Sequence, residues 1–157
     1  VSGYDLVATY PIESDLGQTA IGITLGYNER DFDTDPSAFL NTEAQEDYVN
    51  FEPNTRMIVS VAHSWSDYML MVRGSYWGES QNYNGGSTQV YDPLWMTDAE
   101  FIYAGEEITL SFGVRNLFDE YPAKGTVGDT CCGRVYESGS VIPWSGGHYF
   151  MKMSRDF

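Results

Sequence analysis

The sequence predicts an all-β chain, an antiparallel up-and-down transmembrane β-barrel segment of about seven strands. Three observations carry that expectation. Apolar and polar residues alternate with period two along most of the 157 residues. Several alternating runs reach about ten residues, beyond the roughly 5–6 of a typical soluble strand and close to the roughly 9–11 that a tilted membrane strand needs. Short and long connections also alternate without exception. In an up-and-down order, every short one falls at one end of the sheet and every long one at the other, which is the loop asymmetry of outer-membrane barrels.

The first strand is read over 4–12 and the second over 19–32, joined by ESDLGQ (13–18). In the second, Ile21, Ile23, Leu25 and Tyr27 share one face, against Ala20, Gly22, Thr24, Gly26 and Asn28. A long connection, 33–54, follows. Its stretch DPSAFLNTEAQEDY (35–48) is expected to form at most a short helical turn, since no segment has a marked helical moment. The third strand (56–65) and the fourth (67–78) meet at WSD. Tyr68, Leu70, Val72 and Tyr76 lie on one face of the fourth, against Met69, Met71, Arg73 and Ser75. After the long connection 79–93 comes the fifth strand (94–104), with Ala99, Phe101 and Tyr103 against Asp98 and Glu100. AGEE (104–107) turns the chain into the sixth (107–118), with Ile108, Leu110, Phe112 and Val114 against Thr109, Ser111, Gly113 and Arg115. The longest connection, 119–147, leads to a last strand, 148–157. Leu25, Leu70, Phe101, Leu110, Phe112 and Met153 are expected to face lipid.

Aromatic residues make up 15% of the chain, and Tyr10, Tyr27, Trp65, Tyr68, Tyr76, Trp95, Tyr103 and Phe118 fall near predicted strand ends. Rings with one wet edge suit a membrane interface, whereas a soluble core would concentrate them mid-strand. The net charge is −15 with eight Lys and Arg scattered along the chain, so there is no basic patch for nucleic acid. No run of about 18 apolar residues encodes a membrane helix, which leaves barrel strands open. The chain starts at Val1 with no visible signal segment, and is read as a processed product or a piece of something longer.

Two segments, LSFGVRNLFDEYP (110–122) and GGHYFMKMSRDF (146–157), resemble the end of TonB-dependent receptors of the bacterial outer membrane. GYDLVATYPIE (3–13), the strand entry at 53–56 and PLWMTDAEFIY (93–103) look like that family's preceding strands, in family order. The resemblance implies a barrel of about 22 strands filled by a plug. Seven strands cannot enclose such a lumen and would leave two unpaired edges. Residues 1–157 are therefore expected to be the carboxy-terminal part of the barrel, with the plug domain, the amino-terminal strands and the TonB box outside the chain. It further implies extracellular long loops and a periplasmic carboxy terminus. The implied partners are the rest of the barrel and plug, an inner-membrane energy-coupling protein, outer-membrane lipid and a small-molecule ligand, with no cofactor, no metal and no catalysis. In the family, the face carrying Tyr149, Met151, Met153 and Phe157 points to lipid and the terminal aromatic belongs to the barrel-assembly signal. Arg155 on that face departs from the pattern, and can snorkel to the interface.

The residues themselves account for the first motif. Asn116 and Asp119 can bond nearby backbone and end a strand, and Pro122 has no N–H to offer a ladder. RNLFDEYP thus reads as an exit from strand to loop, with Leu117, Phe118 and Tyr121 at the interface. Cys131 and Cys132 are adjacent in the longest connection, without the CxxC spacing or nearby His cluster of a zinc site; a disulfide of some kind is favoured over two free thiols. Asp31, Asp33, Asp35, Glu43, Glu46, Asp47 and Glu52 make the first long loop acidic, in a spacing that fits no calcium loop and reads as a solvated surface. Arg73, Arg115, Asp98 and Glu100 share the polar face and read as lumen ion pairs. His63 and His148 are isolated, and NYNGGS (82–87) lacks the Lys and helix of a phosphate loop. Ligand capture is assigned to the outer loops, at Tyr83, Tyr91, Arg134, Tyr136 and Trp144, since aromatics and Arg dominate binding energy at recognition surfaces.

Two functions compete: part of an energy-coupled receptor for a scarce nutrient such as a metal–siderophore chelate, and a soluble or surface all-β module recognising glycans or proteins. They differ in where the apolar faces point.

Overall fold

The computed structural model describes residues 1–84, 86–126, 133–137 and 141–155. In chain order its elements are β1 (Ser2–Ser14), β2 (Gly17–Glu29), α1 (Thr42–Asn50), β3 (Thr55–Trp65), β4 (Tyr68–Trp77), β5 (Ser80–Asn84), β6 (Ser87–Tyr91), β7 (Leu94–Ala104), β8 (Ile108–Arg115) and β9 (His148–Arg155). Seven strands form one antiparallel sheet in the order β1-β2-β3-β4-β7-β8-β9, the predicted meander, while β5 and β6 pair only with each other. The sheet is open, with β1 and β9 as its edges.

The register aligns the predicted faces across the whole sheet. One row runs Tyr10, Ile21, Val61, Val72, Ala99, Val114, Tyr149, and a parallel one runs Leu6, Leu25, Met57, Tyr76, Trp95. A slip of one residue anywhere would bring polar side chains into these rows, so the alternation fixes the pairing. The apolar face stays uncovered: Leu70 is 42% exposed, Phe112 49% and Met153 67%. Phe101 is also exposed and Leu25 and Leu110 are half-buried, so none of the six predicted lipid-facing residues is buried.

Aromatic side chains collect on this face in two clusters. At the short-turn end, Trp65, Tyr68, Phe101 and Tyr103 form a contiguous group with ring centroids 5.3–6.2 Å apart. At the long-connection end, Tyr4 stacks on Tyr27 at 5.3 Å and Tyr76 meets Trp95 at 5.1 Å. From Tyr68 to Tyr76 is about 26 Å along the strand at roughly 3.3 Å per residue. Tyr10 departs from the expectation: the register puts it in the aliphatic row between the clusters.

Five strand ends move inward from the predicted ranges. β2 stops at Glu29, β4 spans Tyr68–Trp77, and β8 spans Ile108–Arg115. Asn28 already bonds Asn54 O across the loop mouth, and Asn116 leaves the ladder at φ 51°. Two elements were not anticipated. The helix α1, expected as no more than a turn, runs for nine residues; Asn41 caps it by accepting from Ala44 N at 2.8 Å. No residue of α1 is buried, which is why it lacks an apolar stripe to read. It packs on β5 and not on the seven-stranded sheet. The β5–β6 hairpin lies inside what read as a plain connection; its arms are only five residues long.

Candidate ligand-binding site

The polar face carries a transverse belt of charge. The register sets Arg73 opposite Asp98, and Arg73 Nε donates to Asp98 Oδ2 at 3.1 Å while Nη2 also contacts that oxygen. Arg115 Nη1 reaches the same oxygen at 3.3 Å, and Nη2 lies 3.6 Å from Glu100 Oε2. Glu100 is buried; it accepts from Ser111 Oγ at 2.5 Å and lies 3.4 Å from Lys152 Nζ. Four strands, β4, β7, β8 and β9, are tied by these contacts. Phe150 completes the belt: its ring lies over Gly113, under Arg115 at 5.0 Å and Lys152 at 4.6 Å. A Cβ on Gly113 would sit 2.2 Å from that ring, so a side chain there would push the ring off its place in the belt.

Above the belt, toward the long connections, the face turns apolar. Trp77, Met96 and Ile142 pack together, with Leu94 and Val141 against them. Ile142 is only 2% exposed, the most buried apolar residue described, although it belongs to the longest connection. The segment from Val141 onward thus folds back over the sheet. Between it and the belt lies a cavity of about 370 Å³. Its walls are Ile58, Trp77, Met96 and Pro143, and its charged side holds Arg73, Asp98 and Arg115.

The RNLFDEYP segment anchors this returning loop. Asn116 N donates to Asp98 Oδ1 at 2.9 Å, Asn116 Nδ2 donates to Glu120 O at 2.7 Å, and Asn116 Oδ1 accepts from Glu120 N at 2.9 Å. Asp119, at φ 56°, accepts from Gly147 N at 2.7 Å and from the Tyr121 hydroxyl at 2.9 Å, joining the loop's beginning to its end. The Gly147 N–H and then the Tyr121 hydroxyl hold the Asp119 carboxyl below the ordinary carboxylate range. The predicted strand exit is therefore a closed clasp. Replacing Asn116 by alanine is expected to cost about 2 kcal/mol, from two lost hydrogen bonds and a positive φ that alanine resists. Glycine at 116 should recover about half, since it relieves the backbone alone. Denaturation midpoints of the two variants check this, and equal losses would show that backbone strain contributes nothing.

The three long connections interlock at this end. Tyr83 N donates to Asp47 Oδ1 of α1 at 3.2 Å, Asn82 Nδ2 donates to Glu137 Oε2 at 3.0 Å, and Gln89 bonds both Lys124 O and Thr126 N at 2.8 Å. Among the predicted capture residues, Tyr83 and Tyr91 fall on opposite faces of the hairpin, and Tyr91 is buried. Tyr136 and Trp144 do come together, but as the second and third rings of a stack that starts at Tyr121, with centroids 5.8 and 6.2 Å apart. Arg134 is exposed in the same loop. Trp77, Met96 and Ile142 were missed; the apolar run VIPW (141–144) inside a polar connection was the signal for the last of them. Cys131, Cys132 and Phe157 lie outside the described residues, while Tyr149, Met151 and Met153 are exposed on the apolar face of β9.

In the first long connection, a cavity of about 490 Å³ is lined by Asp31, Asp33, Asp35 and Glu46 together with Phe32, Pro36 and Val49. Among the described residues, no group of three or more His, Cys, Asp or Glu is placed to hold a metal ion. His63 bonds Thr19 Oγ1 through Nδ1 at 2.8 Å and stacks on Trp65, a structural role on the apolar face.

No family model and no curated protein matches the chain. Among solved structures it is similar to a mutant of the ferric enterobactin receptor (PfeA) from Pseudomonas aeruginosa, with a TM-score of 0.63 and 18% identity. The match covers 99% of this chain and 22% of that receptor, so the chain spans about a fifth of the protein it resembles. The likeness shows the fold, a run of consecutive barrel-type strands.

Proposed function

We propose that the chain is the carboxy-terminal part of the barrel of a TonB-dependent outer-membrane receptor that takes up a scarce nutrient such as a metal–siderophore chelate. The observation that carries this reading is the uncovered apolar face: seven strands in chain order, two aromatic clusters and an aliphatic band between them, as a lipid-facing wall requires. The likeness to a receptor barrel supports it. In this reading the polar face lines the lumen, and β1 and β9 pair with further strands of the same barrel. The interlocked long connections lie outside the cell and the short turns in the periplasm, and an inner-membrane protein supplies energy through the plug. The work is capture and transport, without covalent chemistry.

A soluble glycan- or protein-binding module would have to bury the aliphatic band. Expression of the full-length protein in a Gram-negative host separates the two. The receptor reading expects it in the outer-membrane fraction, extracted only by detergent and migrating faster on gels before heating than after. Recovery in the aqueous fraction without detergent would defeat it.

A further inference from the structure

The cavity beneath the returning loop has a charge imbalance that points to a ligand. The belt around it carries three cations, Arg73, Arg115 and Lys152, against two carboxylates, Asp98 and Glu100. Arg56 lies over the Trp77 ring at 5.9 Å, outside the cavity, and shares its stretch of the polar face with Asp5. Asp98 Oδ2 is shared by both guanidiniums, Arg115 also lies 3.6 Å from Glu100 Oε2, and Asp98 Oδ1 is committed to Asn116 N. Each guanidinium has five N–H donors, more than these acceptors can take up. Both remain partly open, with side chains 39% and 30% exposed. The opposite wall is of another kind: the flat ring of Trp77, the soft side chain of Met96, and Pro143 from the loop.

We propose that this cavity binds a small organic anion with one flat apolar ring. Its carboxylate is held by Arg73 and Arg115, and its ring lies against Trp77, Met96 and Pro143. The carboxylate supplies the missing negative charge in a geometry that planar guanidiniums favour. The ring gains burial on the apolar wall. About 370 Å³ is near the lower end of ligand pockets and is enough for a single-ring acid. Pro143, Ser145 and Gly146 form one side of the cavity, so the returning loop is part of the site. This proposal rests on the receptor reading only in taking the polar face as a barrel interior.

The test uses the full-length protein in detergent micelles, titrated calorimetrically with benzoate, benzyl alcohol and inorganic phosphate. Benzoate should bind saturably, benzyl alcohol at least tenfold more weakly, and phosphate should not compete. Arg73→Gln should weaken benzoate about tenfold, equivalent to about 1.4 kcal/mol, and leave benzyl alcohol unchanged. Ser75→Trp, which fills the cavity from the β4 wall, should abolish both. Absence of saturable benzoate binding, competition by phosphate at equal concentration, or benzoate affinity indifferent to both Arg73→Gln and Ser75→Trp would overturn the proposal. So would a structure of the full-length protein with its own chain seated between Arg73 and Arg115. Outer-membrane fractionation of the same samples is scored separately, so a failed ligand site and a failed receptor reading give different results.

Discussion

Replacing Gly17 by alanine should destabilise the protein by about 3 kcal/mol or more. Gly17 closes the turn between β1 and β2 at φ 128°, a backbone conformation that a side chain disfavours. A Cβ there would stand 2.1 Å from Ser64 O, a backbone atom of β3 that cannot rotate aside. The substitution therefore strains the turn and pushes the third strand away at once, and relief of one does not relieve the other. β1 pairs with β2 over its whole length from Ser14↔Gly17 to Ser2↔Glu29, so loss of the turn loosens an entire strand. Chemical denaturation of the purified protein measures the effect. A loss under about 1 kcal/mol would mean that β3 does not approach the turn as described.

The second large effect is expected at Glu100. Its carboxylate is nearly sealed and joins Ser111, Arg115 and Lys152, from two neighbouring strands. Truncation to alanine strands a buried hydroxyl and leaves two cations without that partner. Arg115 and Lys152 are 30% and 64% exposed, so water recovers part of their loss. The expected cost is about 2–3 kcal/mol, below the 3–5 of a fully buried pair. Glu100→Gln keeps an acceptor for Ser111 and should cost about half as much. If glutamine and alanine prove equally costly, charge and not hydrogen bonding dominates the site.

Much of the sheet was legible because period two admits one register once a face is apolar. Ile21, Val72, Ala99 and Val114 were assigned to one face from alternation alone, and the ladder sets them in a single row. Alternation says nothing about elements without an apolar face. The helix α1 buries no residue and is held by its Asn41 cap, and the β5–β6 hairpin has arms too short to show a period. The site was half legible for a similar reason. Arg73, Asp98, Glu100 and Arg115 were placed on the polar face by parity. Ile142 reaches that face by a fold of the longest connection, which no local pattern encodes. Tyr136 and Trp144 were chosen as aromatic recognition residues, but part of their ring surface is engaged with each other and with Tyr121.

In the proposed receptor these strands cross a membrane with the long connections on one side and the short turns on the other. Single cysteines at Ser87, on the β5–β6 hairpin, and at Asp15, in the β1–β2 turn, probe the two sides directly once Cys131 and Cys132 are replaced by serine. Intact cells expressing the full-length protein are treated with a membrane-impermeant thiol reagent. Modification at 87 with protection at 15, both reacting after the cells are opened, is the predicted result. The reverse pattern would invert the topology, and equal labelling of both positions in intact cells would contradict the membrane wall itself.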